Sequence, residues 1–199
     1  MVLRKGIRMS KSREQLQKYL SEIDITDKVV LDVGSGSREH WARNWTKGEP
    51  KSYETWDINQ EFNPDKIVDI NNLGITFDEK DKIYDVIFLL ETLEHLWNAI
   101  DALGYLSQRL KDDGILYIST PLINPYHDTI DYARYTDEWY QKVLTEVGFK
   151  DIKIKPRIAT DGLPYLLQFY KMEGLRMSKM RAGQEEKMAH IGYFVEARK

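Results

Sequence analysis

Apolar and polar residues form two kinds of run along the chain, and these predict strands and helices. Short, mainly apolar runs of strand character cover residues 28–33, 51–58, 66–70, 84–90, 115–120, 149–158 and 191–197. Apolar residues at helical spacing cover 12–22, 40–45, 96–110 and 136–148. The run at 84–90 is the most apolar, as expected of a strand that is buried on both faces. Strands that alternate with helices predict a three-layer α/β fold.

The remaining stretches are interpreted as parts of a single domain that spans residues 1–199. Residues 1–24 form a basic arm followed by a helix, and residues 121–135 form a long loop. A segment rich in Leu, Tyr and Met, at about 159–188, is an insertion before the last strand. This insertion is interpreted as a lid over a site, as an oligomer contact or core segment, or as a basic helix on a lipid surface.

The composition narrows the classes of function. Of 199 residues, 42% are hydrophobic and 31% are charged, which is typical of a globular protein. The chain has no cysteine, which excludes disulfides, thiolate metal sites and cysteine nucleophiles within it. A formal net charge of −3 disfavours a broad basic surface for nucleic acid. No apolar run approaches the roughly 20 residues of a membrane span, and we expect a cytoplasmic protein.

A glycine-containing turn after the first predicted strand carries most of the functional argument. Gly34-Ser35-Gly36 lies where the strand should meet a helix N-terminus, so its backbone can approach a ligand closely. Asp32 precedes this turn, and Asp57 ends the next strand 25 residues later, near the spacing at which a carboxylate meets a ribose. Glu39 stands where a dinucleotide motif needs its third glycine. A ligand with a ribose and a cationic centre therefore fits these residues better than a dinucleotide does.

Six segments in order resemble the motifs of the class I S-adenosylmethionine-dependent methyltransferases, especially their small-molecule branch. They are Val30-Leu-Asp-Val-Gly-Ser-Gly36, Trp56-Asp-Ile58, Asp65-Lys-Ile-Val-Asp-Ile70, Tyr84-Asp-Val-Ile-Phe-Leu-Leu-Glu-Thr-Leu-Glu-His-Leu96, Gly114-Ile-Leu-Tyr-Ile-Ser-Thr-Pro121 and Asp131-Tyr-Ala-Arg-Tyr-Thr136. The resemblance implies a Rossmann-like sheet, mostly parallel with an antiparallel last strand, and S-adenosyl-L-methionine as the cofactor. Ser37 replaces a glycine common in the family's first motif, and residues 159–188 match no part of it.

The resemblance also implies which residues hold the amino-acid end of the cofactor. The backbone of Gly34-Ser35-Gly36 cradles that end, and Asp32 acts on it directly or through water. Leu90 and Glu91, after the fourth strand, border the methionine portion. One structural alternative stays open here, in which Asp32 only caps the turn that follows.

The nucleoside end is assigned in the same way. The resemblance implies that Asp57, followed by Ile58, accepts the two ribose hydroxyls. It also implies that Asp69 accepts from the adenine amino group while the N–H of Ile70 meets a ring nitrogen. Two alternatives stay open, in which Asp57 is a solvated strand end and Asp69 is a turn former.

Candidates for catalysis and substrate binding follow the fourth and fifth strands. His95 is the first candidate for a general base or a substrate contact, and His127, in the long loop, is the second. The alternatives are a helix-start histidine bonded to backbone for His95 and an exposed loop residue for His127. Arg134 and Tyr135 either bind substrate or anchor the loop to the sheet. Methyl transfer depends mainly on positioning, so the base is optional.

The sequence as a whole predicts a methyltransferase that acts on an oxygen or nitrogen of a small molecule. A catechol-type set of carboxylates cannot be assigned, so we expect no metal. We also expect no nucleic-acid partner, while a homodimer is compatible with the chain. Two other functions stay open: a catalytically silent module that binds the cofactor, and a nucleotide-dependent oxidoreductase.

Overall fold

The computed structural model of the protein describes residues 11–75, 83–123, 130–158 and 190–199. These residues form strands β1 (Val29–Val33), β2 (Ser52–Asp57), β3 (Lys66–Ile67), β4 (Tyr84–Leu90), β5 (Leu110–Pro121), β6 (Asp151–Ile158) and β7 (His190–Arg198). The strands form one sheet in the order β3-β2-β1-β4-β5-β7-β6. β7 runs antiparallel to β5 and β6, and the other neighbouring pairs are parallel. The predicted Rossmann-like sheet with an antiparallel last strand is confirmed.

Three α-helices lie within the described ranges: α1 (Lys11–Leu20), α2 (Ala99–Arg109) and α3 (Asp137–Glu146). Thr136 caps α3, because its hydroxyl oxygen accepts the backbone N–H of Trp139 at 3.3 Å. None of the helices in these ranges combines the length and the apolar character needed to cross a membrane.

Both faces of the sheet are covered. Residues 86–89 of β4 are all buried, and because successive side chains of a strand point to opposite faces, both faces must be packed. On one face Ile87 belongs to a core that includes Leu103 of α2 and reaches α3. On the other face Phe88 packs in a core with Leu20 of α1. The predicted three-layer arrangement is confirmed.

The connections change direction between β1 and β4, which are neighbours in the sheet. β2 and β3 lie to one side of β1, and the chain then crosses to β4 on the other side. In open α/β sheets such a switch point opens a crevice at the carboxyl ends of the strands. Gly34 follows β1, Asp57 ends β2 and Glu91 follows β4. The topology therefore brings these three residues to one edge of the sheet.

Several predicted elements differ from those observed. Residues 40–45 form parts of two 3₁₀ turns, Arg38–His40 and Ala42–Asn44, so the prediction of an α-helix there is wrong. β3 ends at Ile67 rather than at residue 70, and a 3₁₀ segment, Ile70–Ile75, follows it. The helix predicted over 96–110 begins at Ala99, after a 3₁₀ turn at Leu93–His95. The insertion at 159–188 lies outside the described residues.

Candidate active site

A cleft of about 440 Å³ opens at the carboxyl ends of β1, β2 and β4. Eight of the residues predicted for the site line it, namely Gly34, Gly36, Asp57, Ile58, Asp69, Ile70, Glu91 and His95. The other predicted residues that the structure describes are not part of this lining; they are Asp32, Ser35, Leu90, Arg134 and Tyr135. His127 lies outside the described residues.

The glycine turn binds the end of β1 to the end of β2. The backbone N–H groups of Gly34 and Ser35 both donate to the carbonyl of Trp56, at 2.8 and 3.2 Å. Gly34 has a φ of +66° and Gly36 a φ of +62°, which glycine adopts without strain. A Cβ on Gly34 would lie 2.6 Å from Thr92 Cγ2 and closer still to Thr92 Oγ1. Gly34 is therefore required by its backbone angle and by the close approach of the β4 end.

Asp57 ties this turn to the following loop. Its Oδ2 accepts the N–H of Gly36 at 2.8 Å, and its Oδ1 accepts the N–H of Asn59 at 2.9 Å. The side chain is buried but lines the cleft. Because a carboxylate offers about four acceptor sites, two neutral N–H donors leave capacity for further donors.

Asp69 immediately precedes the 3₁₀ segment and also lines the cleft. Its Oδ1 accepts the N–H of Asn71 at 3.0 Å, and its Oδ2 accepts from the side-chain amide of Asn72. These hydrogen bonds agree with the alternative interpretation of the sequence, in which Asp69 forms a turn. They also explain why β3 is short, since the carboxylate caps the turn that replaces its end. Nearby, Ile58 and Phe62 give the cleft an exposed apolar wall.

Asp32 lies behind the cleft and is not one of its lining residues. It is buried, and its Oδ2 accepts the N–H of Ala42 at 3.0 Å and the hydroxyl of Tyr53. Burial raises the pKa of the Asp32 carboxyl to about 6, although the two hydrogen bonds oppose the shift. The bond to Ala42 fixes the start of the second 3₁₀ turn, Ala42–Asn44, as expected of a cap. Contact of Asp32 with a ligand stays a prediction.

Glu91 has an unusual backbone conformation and well-defined anchors. Its φ is +49°, and its N–H donates to the Ser119 carbonyl at 2.8 Å. Its Oε1 accepts the Ser119 hydroxyl at 2.7 Å and Nη1 of Arg157 at 2.5 Å. The sequence did not indicate Arg157, because strand alternation places it on the same face of β6 as Lys153 and Lys155. The lysines are exposed, whereas Arg157 is buried.

His95 lines the cleft from the turn after β4. Its Nδ1 contacts the carbonyl oxygen of Ile130. A carbonyl can only accept, so this contact favours the tautomer with hydrogen on Nδ1 and leaves Nε2 as an acceptor. Both the candidate base and the backbone-bonded alternative are compatible with this arrangement.

A buried carboxyl group lies next to His95. Glu94 is fully buried, neither of its carboxyl oxygens has a hydrogen-bond partner among the residues that the structure describes, and Oε1 lies 3.9 Å from His95 Nε2. Burial, together with the nearby charge of Glu91, raises the pKa of the Glu94 carboxyl to about 8. Glu94 is therefore mainly protonated at neutral pH.

Arg134 and Tyr135 lie in the segment that leads to α3, outside the described lining of the cleft. Nη2 of Arg134 donates to Asp131 Oδ2 at 2.7 Å, and Nη1 contacts the other oxygen of the same carboxylate. The hydroxyl of Tyr135 donates to the Leu93 carbonyl at 3.2 Å, and its ring packs on Trp139. The Tyr135 bond anchors the segment to the turn after β4, as one of the two interpretations expects, whereas the Arg134 bonds lie within the segment itself. Contact of either residue with a substrate stays a prediction.

The charged residues of the cleft indicate which class of ligand it can bind. Its described lining contains three carboxylates, those of Asp57, Asp69 and Glu91, and neither lysine nor arginine. Such a lining repels a pyrophosphate and attracts sulfonium and ammonium groups. Glycine N–H groups, carboxylates for a ribose and an apolar wall for a base are all present, so the residues fit S-adenosylmethionine. Within the described ranges, no three His, Asp or Glu side chains are grouped to hold a metal ion.

The family comparison agrees with this geometry. A family model described as a methyltransferase domain matches residues 8–151, which is well over half of the chain. The chain belongs to this family. The expected class I methyltransferase character is confirmed, and S-adenosylmethionine is the cofactor of this class of enzyme.

Solved methyltransferase structures share the fold. The chain is 17% identical to an S-adenosylmethionine-dependent methyltransferase from Archaeoglobus fulgidus, with a TM-score of 0.63 and 94% of each chain covered. It is 12% identical to phosphoethanolamine N-methyltransferase 2 from Haemonchus contortus, solved in complex with S-adenosyl-L-methionine, with a TM-score of 0.63. That match covers 96% of this chain and 53% of the other.

A curated relative carries a more specific name. The methyltransferase is 27% identical over 154 residues to a tRNA U34 carboxymethyltransferase from Pseudoalteromonas translucida. The match covers 66% of this chain and 47% of the relative. The chain thus spans about half the length of the curated relatives it matches.

Proposed function

We propose that this methyltransferase transfers a methyl group from S-adenosylmethionine to an oxygen or nitrogen of a small molecule. The observation that carries the proposal is the acidic cleft at the switch point, with three carboxylates and neither lysine nor arginine among its described lining residues. In a chain of this family, that lining suits a cationic donor that also carries a ribose and an adenine.

Different residues of the cleft are assigned to different parts of the cofactor. Asp57, already placed by Gly36 and Asn59, receives the ribose hydroxyls. Asp69 and the N–H of Ile70 recognise the adenine edge, between walls that include Ile58. The glycine turn and Glu91 receive the amino-acid end. Asp32 contributes from behind the cleft by fixing the 3₁₀ turn that begins at Ala42.

S-adenosylmethionine, when bound, supplies an electrophilic methyl group on a sulfonium centre. The chain's own contribution is to orient an acceptor in line with that group and to exclude water. For an acceptor that ionises, His95 Nε2 takes the proton, because Nδ1 contacts the Ile130 carbonyl. His127 remains the second candidate for this role. Arg134 and Tyr135 are assigned to the acceptor side of the cleft.

A tRNA acceptor is the second candidate function. It is favoured by three curated relatives that share the name tRNA U34 carboxymethyltransferase, at 22–27% identity. The acidic cleft and the net charge of −3 favour the small molecule, since binding to a phosphate backbone relies on lysine and arginine. The expected cytoplasmic location suits either acceptor and stays a prediction.

Calorimetry provides the first test. S-adenosylhomocysteine should bind the purified protein with one-to-one stoichiometry, and NAD should not. Binding of NAD without S-adenosylhomocysteine would support the nucleotide-dependent oxidoreductase and refute the proposal.

Methyl transfer from cofactor with a labelled methyl group provides the second test. A panel of hydroxylated and amino metabolites is compared with total tRNA in parallel reactions at two salt concentrations. Label in small molecules supports the proposal, whereas salt-sensitive label in tRNA supports the second candidate. Tight binding of S-adenosylhomocysteine with no transfer to either acceptor would support the silent cofactor-binding module.

A further inference from the structure

A buried arginine lies behind the cleft. Arg157, near the end of β6, has only 2% of its side chain exposed. Its Nη1 donates to Glu91 Oε1 at 2.5 Å, and its Nη2 donates to the hydroxyl and the carbonyl oxygen of Ser12 in α1. The guanidinium also lies over the ring of Phe194, 5.1 Å from its centroid. A buried cation is costly unless it is paired, so these contacts define a single position for the guanidinium.

The neighbouring strand is shaped to admit this side chain. Arg157 pairs with Gly192 of β7, and the ladder shifts register directly after this pair. A Cβ on Gly192 would lie 3.2 Å from Arg157 Cδ and closer still to the carbonyl oxygen of Thr120. Glycine at this position therefore lets the arginine turn inward, although strand alternation would place it outside with Lys153 and Lys155.

The arginine determines which oxygen of Glu91 is available to the cleft. Both described hydrogen bonds to the Glu91 carboxylate, from Arg157 and Ser119, end on Oε1. Oε2 has no hydrogen-bond partner among the described residues, and Glu91 lines the cleft. The backbone N–H of Glu91 is also held, by the Ser119 carbonyl at 2.8 Å. Main chain and one carboxylate oxygen are thus fixed, while the second oxygen remains to accept a donor.

We propose that Arg157 is a positioning residue for cofactor binding, which holds Glu91 so that Oε2 receives the α-ammonium group of the cofactor's amino-acid end. The inference rests on the proposed function, which assigns that end to the glycine turn and Glu91. An ammonium group facing a pre-positioned carboxylate makes a charge-assisted hydrogen bond, which is stronger than a neutral one. Because Nη2 of the same guanidinium binds Ser12, the docking of α1 and the orientation of Glu91 depend on one side chain.

Two ligands that differ at the amino-acid end separate this role from a general effect on folding. S-adenosylhomocysteine carries the α-ammonium group, and 5′-methylthioadenosine lacks the amino-acid end but keeps the nucleoside. Calorimetry with Arg157→Met, which keeps the length of the side chain but not the charge, should show roughly tenfold weaker binding of S-adenosylhomocysteine. Binding of 5′-methylthioadenosine should be unchanged. Arg157→Lys keeps the positive charge but not the two-pronged guanidinium, and it should give an intermediate loss of affinity for S-adenosylhomocysteine.

Two further variants complete the experiment. Lys153→Met is the matched control, because Lys153 lies on the same strand, exposed and paired with Glu196 at 2.9 Å; both affinities should stay at the wild-type values. Glu91→Gln should lower the affinity for S-adenosylhomocysteine and leave the affinity for 5′-methylthioadenosine unchanged. In the double variant Glu91→Gln/Arg157→Met, the ratio of these two affinities should be the same as in Glu91→Gln.

The outcomes of this experiment are distinct. An equal loss of both ligands in Arg157→Met, or no loss of either, overturns the inference, as does a full additional loss in the double variant. Failure of the wild-type protein to bind either ligand refutes the proposed function itself, and the inference with it.

Discussion

Replacing Gly34 by alanine tests how tightly the glycine turn is built. An L-residue in the left-handed region costs roughly 1–2 kcal/mol, and Gly34 has a φ of +66°. The new methyl group would also lie 2.6 Å from Thr92 Cγ2 and 2.9 Å from Thr92 Cβ, and overpacking of this kind typically costs about 1–3 kcal/mol. We therefore expect Gly34→Ala to lower the free energy of unfolding by about 2–5 kcal/mol.

Gly36 provides an internal control for this prediction. Its φ of +62° is nearly the same as that of Gly34, but the atoms nearest to a Cβ added at Gly36 would be those of His40, at 3.9 Å. Gly36→Ala should therefore lower the free energy of unfolding only by the cost of the left-handed backbone conformation, about 1–2 kcal/mol. Equilibrium urea denaturation of both variants gives the two values, and their difference measures the clash with Thr92.

A double-mutant cycle identifies the clash directly. Thr92→Ala removes Oγ1 and Cγ2, the two closest atoms, and leaves Cβ. The cost of Gly34→Ala should fall by about 1–2 kcal/mol in that background, as expected for residues in direct contact. Equal costs at Gly34 and Gly36, or an unchanged cost after Thr92→Ala, would refute the reasoning.

Three further predictions concern titratable groups. Asp57→Ala should weaken binding of S-adenosylhomocysteine by about 1–3 kcal/mol, the cost of losing a charged hydrogen-bond partner; unchanged affinity in calorimetry would remove Asp57 from the site. His95→Ala should abolish the limb of the pH–rate profile that belongs to a base, and an identical profile in wild type and variant would exclude that role. The folded-state pKa of Glu94 is raised to about 8, so its contribution to stability is present below the unfolded-state pKa and declines as pH rises from about 4.5 to about 8. Urea denaturation across this pH range should show a smaller decline for Glu94→Gln, and parallel curves for the two proteins would contradict the assignment.

The sheet was predictable because its signals are local. β4 matches its predicted bounds, since seven mainly apolar residues between Ile83 and Glu91 allow few alternatives. The antiparallel last strand was implied by the resemblance to the class I methyltransferases and not by a local pattern. The helix at 40–45 was misjudged because tryptophans one turn apart suggested a period. The structure instead fixes Ala42 through the Asp32 carboxylate, a contact across ten residues that no local pattern contains.

The site was predictable only in part, for a similar reason. Residues at strand ends, such as Asp57 and Glu91, converge because parallel strands end at one edge. Arg157 was missed because its burial depends on Gly192, which is far from it in sequence and adjacent only across the ladder. The sequence predicts no role for Glu94, since no local pattern indicates that its carboxyl is buried without a hydrogen bond to any described residue.

The three carboxylates of the cleft also bear on turnover. Under the proposed function, donor and product occupy the same pocket and differ by one positive charge, because the thioether product has lost the sulfonium. Arg157 pairs with Glu91 from behind the cleft, but neither lysine nor arginine is among the described lining residues beside Asp57 and Asp69, so the lining still favours the charged species over the neutral thioether. Loss of the methyl group therefore lowers the electrostatic attraction between the cleft and the bound cofactor, which favours exchange of the product for fresh cofactor.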